Sequence, residues 1–335
     1  MLVESPGIAH LGHAQTQKAK SPMTGTKKPP SGNTLRGVLA SLVASGLFAA
    51  IFLLAGILTG WGAEEVFGWR VILTLAILVP ALFIIPWGRG MVRELLARLR
   101  AHPARLPLGI LGSGLVGVQL WLFMWAPING MAISVSLGYF LLPLVMVLVG
   151  RVIFGERLSS AQWIAVAFAG VGVLFEALFA GGLAWPTLMV ALGYPLYFVM
   201  RRMAGFESLA AFALELLILL PAAVYFVLAG PHGITGPPLI NTGFLATAAI
   251  GVLGALAMFL FLGASKVLPL SLFGLLGYVE PVLLLAVALI LGEKVLATDA
   301  LTYIPLFLAL LVLAADGYRS TRRQPRLRGS HRNPE

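Results

Sequence analysis

Apolar stretches of about 20 residues recur along almost the whole chain, separated by short polar segments. A helix of that length crosses a hydrocarbon core of about 30 Å. Hydrocarbon offers no partner to backbone N–H and C=O groups, so a spanning segment must be a helix or part of a closed barrel. A barrel needs alternating strands of about 10 residues, and the sequence shows no such alternation. We therefore predict an all-α membrane protein.

The charge distribution agrees with this prediction. Only 11% of the residues are charged, against about 25% in an average soluble domain. A net charge of +10 would suit a nucleic-acid partner, but the basic residues stand in loops and tails, as membrane topology requires, so no such partner is expected. The absence of cysteine excludes disulfide and thiolate chemistry.

Ten transmembrane helices can be placed. They are predicted at 35–59, 67–87, 107–126, 131–153, 161–180, 184–201, 207–229, 243–263, 269–291 and 298–317. Residues 1–34 are predicted to be a disordered cytoplasmic tail and 318–335 a basic cytoplasmic tail, since both are polar. Ten crossings place 21 of the 23 basic residues, including the basic loop 88–106, on the side of the termini. The positive-inside rule then puts both termini in the cytoplasm, for a multi-pass protein of the inner membrane.

A repeated phrase divides the predicted helices into two blocks. LGYFLLPLVMVLVGRVIFGERL (137–158) is echoed by LGYVEPVLLLAVALILGEKV (276–295). Each phrase fills the fourth helix of a five-helix block, 35–180 or 184–317, and an odd number of crossings inverts the second block relative to the first. Inverted repeats of this kind are typical of secondary transporters, whose substrate site lies near the midplane between the halves.

Three stretches resemble a known family. Trp125-Ala126-x-x-Asn129 with the first phrase, AFALELLILLP (211–221) and ASKVLPLSLFGLLGYVEP (264–281) are similar to the RarD-type branch of the EamA transporters, in the drug/metabolite transporter superfamily. The resemblance implies a ten-helix inner-membrane permease with two five-helix EamA repeats. Family members carry a drug-sensitivity label, but their substrates are mostly unassigned. Two departures stand out: Leu142 replaces the family's asparagine, and Glu280 replaces a small residue.

Two glutamates, Glu215 and Glu280, lie near the middle of predicted helices. A charge at a helix centre costs roughly 2.5 to 3.5 kcal/mol on insertion scales, so such a group usually faces the bundle interior, a partner or water. We expect both Glu215 and Glu280 to be proton-coupling or cation-binding groups. The alternative is a structural hydrogen bond between helices.

Other polar residues are candidates for substrate binding. Tyr194 and Tyr197 share one face of the sixth predicted helix with Arg201. The full set of candidates is Gln119, Tyr139, Tyr194, Tyr197 and Tyr278. Arg70 and Glu176 lie near predicted outer helix ends, where long side chains reach the interface, although Arg70 can attract an anion. Pro143 and Pro281 should kink their helices and free the carbonyls of Tyr139 and Gly277.

Motifs of enzymes and ATPases are missing from the sequence: it has neither a GxxxxGK[ST] loop nor a GxSxG elbow. We expect no catalytic residue, no cofactor and no metal. The sequence predicts a secondary transporter for a small amphipathic or zwitterionic metabolite, working by alternating access, with proton coupling as one option. A lipid scramblase and an intramembrane enzyme are the alternatives. The expected partners are the substrate and membrane lipid, and a homodimer is left open.

Overall fold

The computed structural model describes residues 31–58, 60–179, 182–233, 242–295 and 297–323 of the 335-residue chain. Within these ranges the chain forms α-helices and one 3-10 turn (Pro103–Arg105), with no strand. The helices are α1 (Ser31–Ile57), α2 (Ala63–Ile84), α3 (Pro86–Ala101), α4 (Leu106–Ile128), α5 (Ala132–Phe154), α6 (Ser160–Phe179), α7 (Trp185–Ala204), α8 (Leu209–Ala229), α9 (Thr242–Val267), α10 (Leu270–Leu276), α11 (Val279–Ile290) and α12 (Ala297–Arg323). The prediction of an all-α protein is confirmed for the described residues.

Nine stretches of the described chain are long and apolar enough to cross a membrane. They are α1, α2, α4, α5, α6, α8, α9, α12 and the combined α10–α11 segment. Helix α7 has 20 residues as well, but it contains two arginines, two prolines and two tyrosines and is not among the nine. The chain is therefore a multi-pass membrane protein, and the tenth crossing stays a prediction.

The predicted helix ends agree with the observed ends to within four residues, except at the end of α12. That helix continues to Arg323, so residues 318–323 are helical where we expected an unstructured tail. Residues 31–34 likewise belong to α1 and not to the expected disordered tail. The remainder of both predicted tails, 1–30 and 324–335, lies outside the described residues.

The basic segment 88–106, expected as a loop, is mostly helical. Helix α3 turns its arginines outward and buries Leu95. Its apolar residues recur at three- and four-residue spacing, which is the pattern of an amphipathic helix. Arg98 donates a hydrogen bond to the Gly205 carbonyl at 3.0 Å, so α3 also contacts the end of α7.

The helix ends gather at two opposite ends of the bundle. The first is called the Glu293 end because Glu293 accepts a hydrogen bond from Ala132 at the start of α5 there. At this end Trp61 stacks on His232 at 4.2 Å and Trp125 lies 5.0 Å from Trp185, ring centre to ring centre. This end therefore carries the starts of α2 and α7 and the ends of α1, α4 and α8. The other is called the Arg98 end because Arg98 contacts the end of α7 there. At this end the start of α8 contacts the end of α7, and the start of α6 contacts the end of α12.

Lateral packing follows a regular scheme. Helix α1 lies against α9 and α11, α2 against α8 and α9, and α4 against α7 and α8. Helix α5 lies against α7 and α11, and α6 lies against α12. Each half of the sequence therefore packs mainly on the other half.

The second repeated phrase contains a helix break. Helix α10 ends at Leu276 and α11 begins at Val279, with Gly277 and Tyr278 between them. Pro281 cannot donate to the Gly277 carbonyl, which explains the interruption, and the predicted disturbance is confirmed here. Helix α5, in contrast, continues through Pro143 without a break. The break places Glu280 in the first turn of α11.

Candidate functional site

Two tyrosines from different halves of the sequence meet inside the bundle. Tyr139 of α5 donates a hydrogen bond to the hydroxyl of Tyr194 of α7 at 3.0 Å. The two helices approach closely because residue 138 is glycine: a Cβ there would fall 2.6 Å from the Val190 Cβ and 2.8 Å from the Thr187 carbonyl oxygen. The Tyr194 hydroxyl accepts this bond and keeps its own proton for another acceptor.

Arg70 of α2 belongs to the same region. Its guanidinium carbon lies 5.4 Å from the ring centre of Phe123, and it interacts electrostatically with Tyr139 and Tyr194. The side chain is only 6% exposed, and its Nη1 atom has no hydrogen-bond partner in the described part of the chain. The expectation that Arg70 reaches the membrane interface is wrong. Helix α2 begins at Ala63, four residues earlier than predicted, so Arg70 lies deeper in the helix.

Glu280 of α11 also lies near the tyrosine pair. It interacts electrostatically with both Tyr139 and Tyr194 and is partly buried. Neither an ion pair nor a hydrogen bond engages its carboxylate within the described ranges. We call Arg70, Phe123, Tyr139, Tyr194 and Glu280 the central cluster. Its members come from α2, α4, α5, α7 and α11.

Gln119 lies one helical turn before Phe123 on α4. Its Nε2 donates a hydrogen bond to the Met189 carbonyl of α7 at 2.7 Å. The side chain is 2% exposed, and its Oε1 has no partner among the described residues. Gly193 makes room for the amide, since a Cβ at that position would clash with it. Gln119 thus joins α4 to α7 and keeps one acceptor free beside the central cluster.

Known proteins similar to this chain carry the name RarD or are named as uncharacterized transporters. The chain is 39% identical to the chloramphenicol-sensitive protein RarD of Pseudomonas aeruginosa over 87% of this chain and 97% of that protein. It is 38% identical to an uncharacterized transporter of Pasteurella multocida, over 83% of this chain and 94% of that protein. Protein RarD of Streptomyces exfoliatus is 32% identical over 86% of this chain and 90% of that protein. The chain belongs to the family of RarD-like permeases.

A solved structure, described only as a crystal structure of a protein, shares the fold of this RarD-like chain. Its TM-score is 0.50 at 20% sequence identity, over 85% of this chain and 98% of that one. At this identity the likeness concerns the fold alone. No family model matches the sequence. The resemblance stated from the sequence motifs is thus confirmed by the RarD relatives.

A second polar group of the RarD-like chain joins α7 to α8. Tyr197 donates a hydrogen bond to Glu215 Oε2 at 2.8 Å, and Arg201 Nη1 lies 3.4 Å from the same oxygen. Arg201 also contacts the Tyr197 hydroxyl and donates to the carbonyls of Phe206 and Ser208. The carboxylate of Glu215 is therefore occupied by protein donors, whereas that of Glu280 is not. Their roles as coupling groups stay predictions.

Tyr278 stands apart from the other candidate residues. It packs with Phe307, Leu310 and Leu311 of α12 around an apolar cavity of about 230 Å³ and interacts electrostatically with Asp316. The break between α10 and α11 turns it toward α12 while Glu280, two residues later, faces the tyrosine pair. The structure therefore separates two residues that are near neighbours in the sequence.

The Glu293 end carries further polar contacts that the sequence reasoning missed. The carboxylate of Glu293 accepts hydrogen bonds from the backbone amides of Ala132 and Ile133, at 2.7 and 2.8 Å, and so caps the start of α5. Glu65, which is 1% exposed, accepts from the His232 backbone amide at 3.2 Å and lies 3.1 Å from its Nδ1. The repeated GE motif singled out Glu293, but its partner could not be known without the fold.

We predict that Glu215 stabilises the RarD-like fold through Tyr197 and Arg201. Replacing Glu215 by leucine leaves a buried hydroxyl and a buried guanidinium without their shared acceptor, which should lower the free energy of unfolding by about 3 kcal/mol. Denaturant unfolding in detergent measures this. The matched control is Glu176→Leu, at a partly exposed position of α6. Equal stability of the two variants would contradict the structural role.

Proposed function

We propose that this chain is a secondary transporter that moves a small amphipathic or zwitterionic metabolite across the inner membrane by alternating access. The observation that carries the proposal is the central cluster, where polar groups with free hydrogen-bonding capacity face one another among apolar helices. Pockets that combine aromatic faces with a few polar groups are typical binding sites for small molecules. The names of the relatives, which include transporter and RarD, support the same function.

An inverted repeat is supported by the packing scheme. If helices α7, α8, α9, α10–α11 and α12 repeat α1, α2, α4, α5 and α6, each contact should have a counterpart. The contact of α1 with α9 then corresponds to that of α7 with α4, and the contact of α5 with α7 to that of α11 with α1. Likewise, α2 with α9 corresponds to α8 with α4. The remaining large contacts, α2 with α8, α5 with α11 and α6 with α12, join each helix to its own counterpart, as a twofold axis requires.

The tenth crossing is supported by the contacts at both ends of α7. Its first residue, Trp185, lies beside Trp125 at the Glu293 end, and its C-cap, Gly205, accepts a hydrogen bond from Arg98 at the opposite end. Tyr194 and Tyr197 of α7 are compatible with a membrane span because they form hydrogen bonds with Tyr139 of α5 and Glu215 of α8. The basic residues of α3 then favour a cytoplasmic location for the Arg98 end.

The two GE motifs differ in a way that suits alternating access. Glu293 caps α5 at the Glu293 end, while its counterpart Glu156 is exposed at the other end. Under the proposed symmetry, Glu156 is the residue that would cap the start of α10. We infer that Glu293 holds the outer end closed in this state and that the equivalent contact of Glu156 forms when the inner end closes.

The proposed topology predicts opposite orientations for the two GE motifs. Arg157→Cys and Lys294→Cys occupy matching exposed positions in a chain without cysteine. A membrane-impermeant maleimide added to intact cells should label the cysteine at 294 and not the one at 157. Labelling in inside-out vesicles should give the reverse. Labelling of both positions from the same side would contradict the inverted repeat.

The Glu293 contact predicts the accessibility of the central cluster. With Phe123→Cys as the reporter, adding Glu293→Ala should increase labelling from outside about fivefold, because a helix cap is worth about 1 kcal/mol. Lys294→Ala is the control, since the lysine next to Glu293 is exposed and takes no part in the cap. If both substitutions change external labelling equally, Glu293 does not hold the outer end closed.

Transport and its coupling are tested together in liposomes. Liposomes that contain the purified protein should take up one or more members of a radiolabelled metabolite panel, and empty liposomes should not. We further propose that the carboxylate of Glu280, which has no hydrogen-bond or ion-pair partner among the described residues, couples proton movement to this transport. Glu280→Gln should then keep counterflow exchange but lose its response to a pH gradient, while Glu176→Gln keeps both. Equal responses of wild type and Glu280→Gln would contradict coupling, and the absence of any uptake would contradict the proposed function.

A further inference from the structure

Arg70 is a buried cation for which the described chain provides no counter-charge. The residue is 6% exposed, its Nη1 atom has no hydrogen-bond partner, and none of the ion pairs in the described ranges includes it. Burying an ion without a partner carries a large desolvation cost. The cation–π contact with Phe123, at 5.4 Å, offsets only part of that cost. Such an arrangement is expected where a ligand supplies the missing charge.

A glycine and a tyrosine hydroxyl lie beside the guanidinium. Gly254 of α9 faces Arg70 and Thr74: a Cβ at that position would lie 3.8 Å from Arg70 Nε and 3.3 Å from Thr74 Oγ1, so a larger residue would crowd the guanidinium. On the other side, Tyr194 accepts a hydrogen bond from Tyr139 and retains a hydroxyl proton. The guanidinium and this hydroxyl are therefore two neighbouring donors, one from α2 and one from α7.

The donor set indicates the chemistry of the ligand. A planar guanidinium fork binds a carboxylate with two parallel hydrogen bonds, and a tyrosine hydroxyl can donate to the same group. Arg70 is the single cationic side chain of the central cluster, and Glu280 approaches the same tyrosines with the opposite charge. One negative group can be neutralised by Arg70, whereas a second would meet the Glu280 carboxylate. The rings of Phe123 and the tyrosine pair suit an apolar body next to the charge.

We propose that Arg70 is the carboxylate-binding residue of the central cluster and that the substrate is an organic monocarboxylate with an apolar body. That the ligand is a transported substrate rests on the proposed function. The assignment of the carboxylate-binding site does not depend on it. A substrate that also carries an ammonium group would place it toward Glu280.

The first test measures ligand-free stability. Arg70→Met keeps the volume and removes the charge without a partner, so its apparent melting temperature in detergent should be no lower than that of wild type. Arg93→Met, at an exposed position of α3, is the control for loss of an arginine. A clear decrease for Arg70→Met alone would assign Arg70 a structural role and overturn the proposal.

The second test measures binding with defined probes on the full chain. Benzoate, phenylacetate and L-phenylalanine should raise the melting temperature of wild type, while benzamide and phenethylamine, which lack the carboxylate, should not. Arg70→Met and Arg70→Lys should weaken binding of the stabilising probes at least about tenfold, because a charge-assisted hydrogen bond in a buried site contributes more than 1.4 kcal/mol. Arg93→Met should bind like wild type.

The outcomes separate this inference from the transport function. If none of the three carboxylates stabilises wild type, or if their binding survives in Arg70→Met, the carboxylate assignment is overturned even where liposomes take up other metabolites. If the carboxylates bind in an Arg70-dependent manner but no member of the metabolite panel enters liposomes, the site stands and the transport proposal fails.

Discussion

In hydrocarbon, a peptide group has no hydrogen-bond partner except another part of the protein. This requirement explains why the described chain is helical almost throughout and why its single interrupted span is informative. At Gly277 and Tyr278 the regular helix stops, and Pro281 leaves a carbonyl without its usual donor. Such a defect is stable only where protein or water encloses it. The break therefore lies against α5 and α12, and it directs Glu280 inward and Tyr278 toward α12.

Five buried or partly buried charged residues of the described chain fall into two groups with different energetic consequences. Glu215, Glu65 and Glu293 each accept hydrogen bonds from identifiable donors, so their desolvation is offset and they join helices to one another. Among the described residues, Glu280 has no hydrogen-bond or ion-pair partner and Arg70 has no ion-pair partner, although both lie near the same tyrosines. The proposed binding site thus has one basic and one acidic group near the same two tyrosines. A dipolar or charged ligand would suit such a pair.

Helix positions were predictable from the sequence because span length is set by membrane thickness and each span is strongly apolar. Hydropathy does not reveal which side of a helix faces inward, so the burial of Arg70 is not predictable from it. The sequence predicts α2 to begin at residue 67 instead of Ala63, which puts Arg70 near the interface. Its burial depends on α4 and α9, which are distant in sequence. Glu215 and Glu280 are equivalent in the sequence, since only the fold brings Arg201 to Glu215 and leaves Glu280 without an ion pair in the part of the chain that the structure describes.

The repeated phrases show why similar sequences need not have the same structure. Both contain Gly-Tyr and a proline, yet α5 is continuous and its counterpart is divided into α10 and α11. Glu293 is bound to the start of α5, whereas Glu156 is exposed. Under the proposed inverted repeat, such a difference has a counterpart state in which the two halves exchange roles. The proposed alternating access would then be an exchange between these two states, with the central cluster facing one side of the membrane in each.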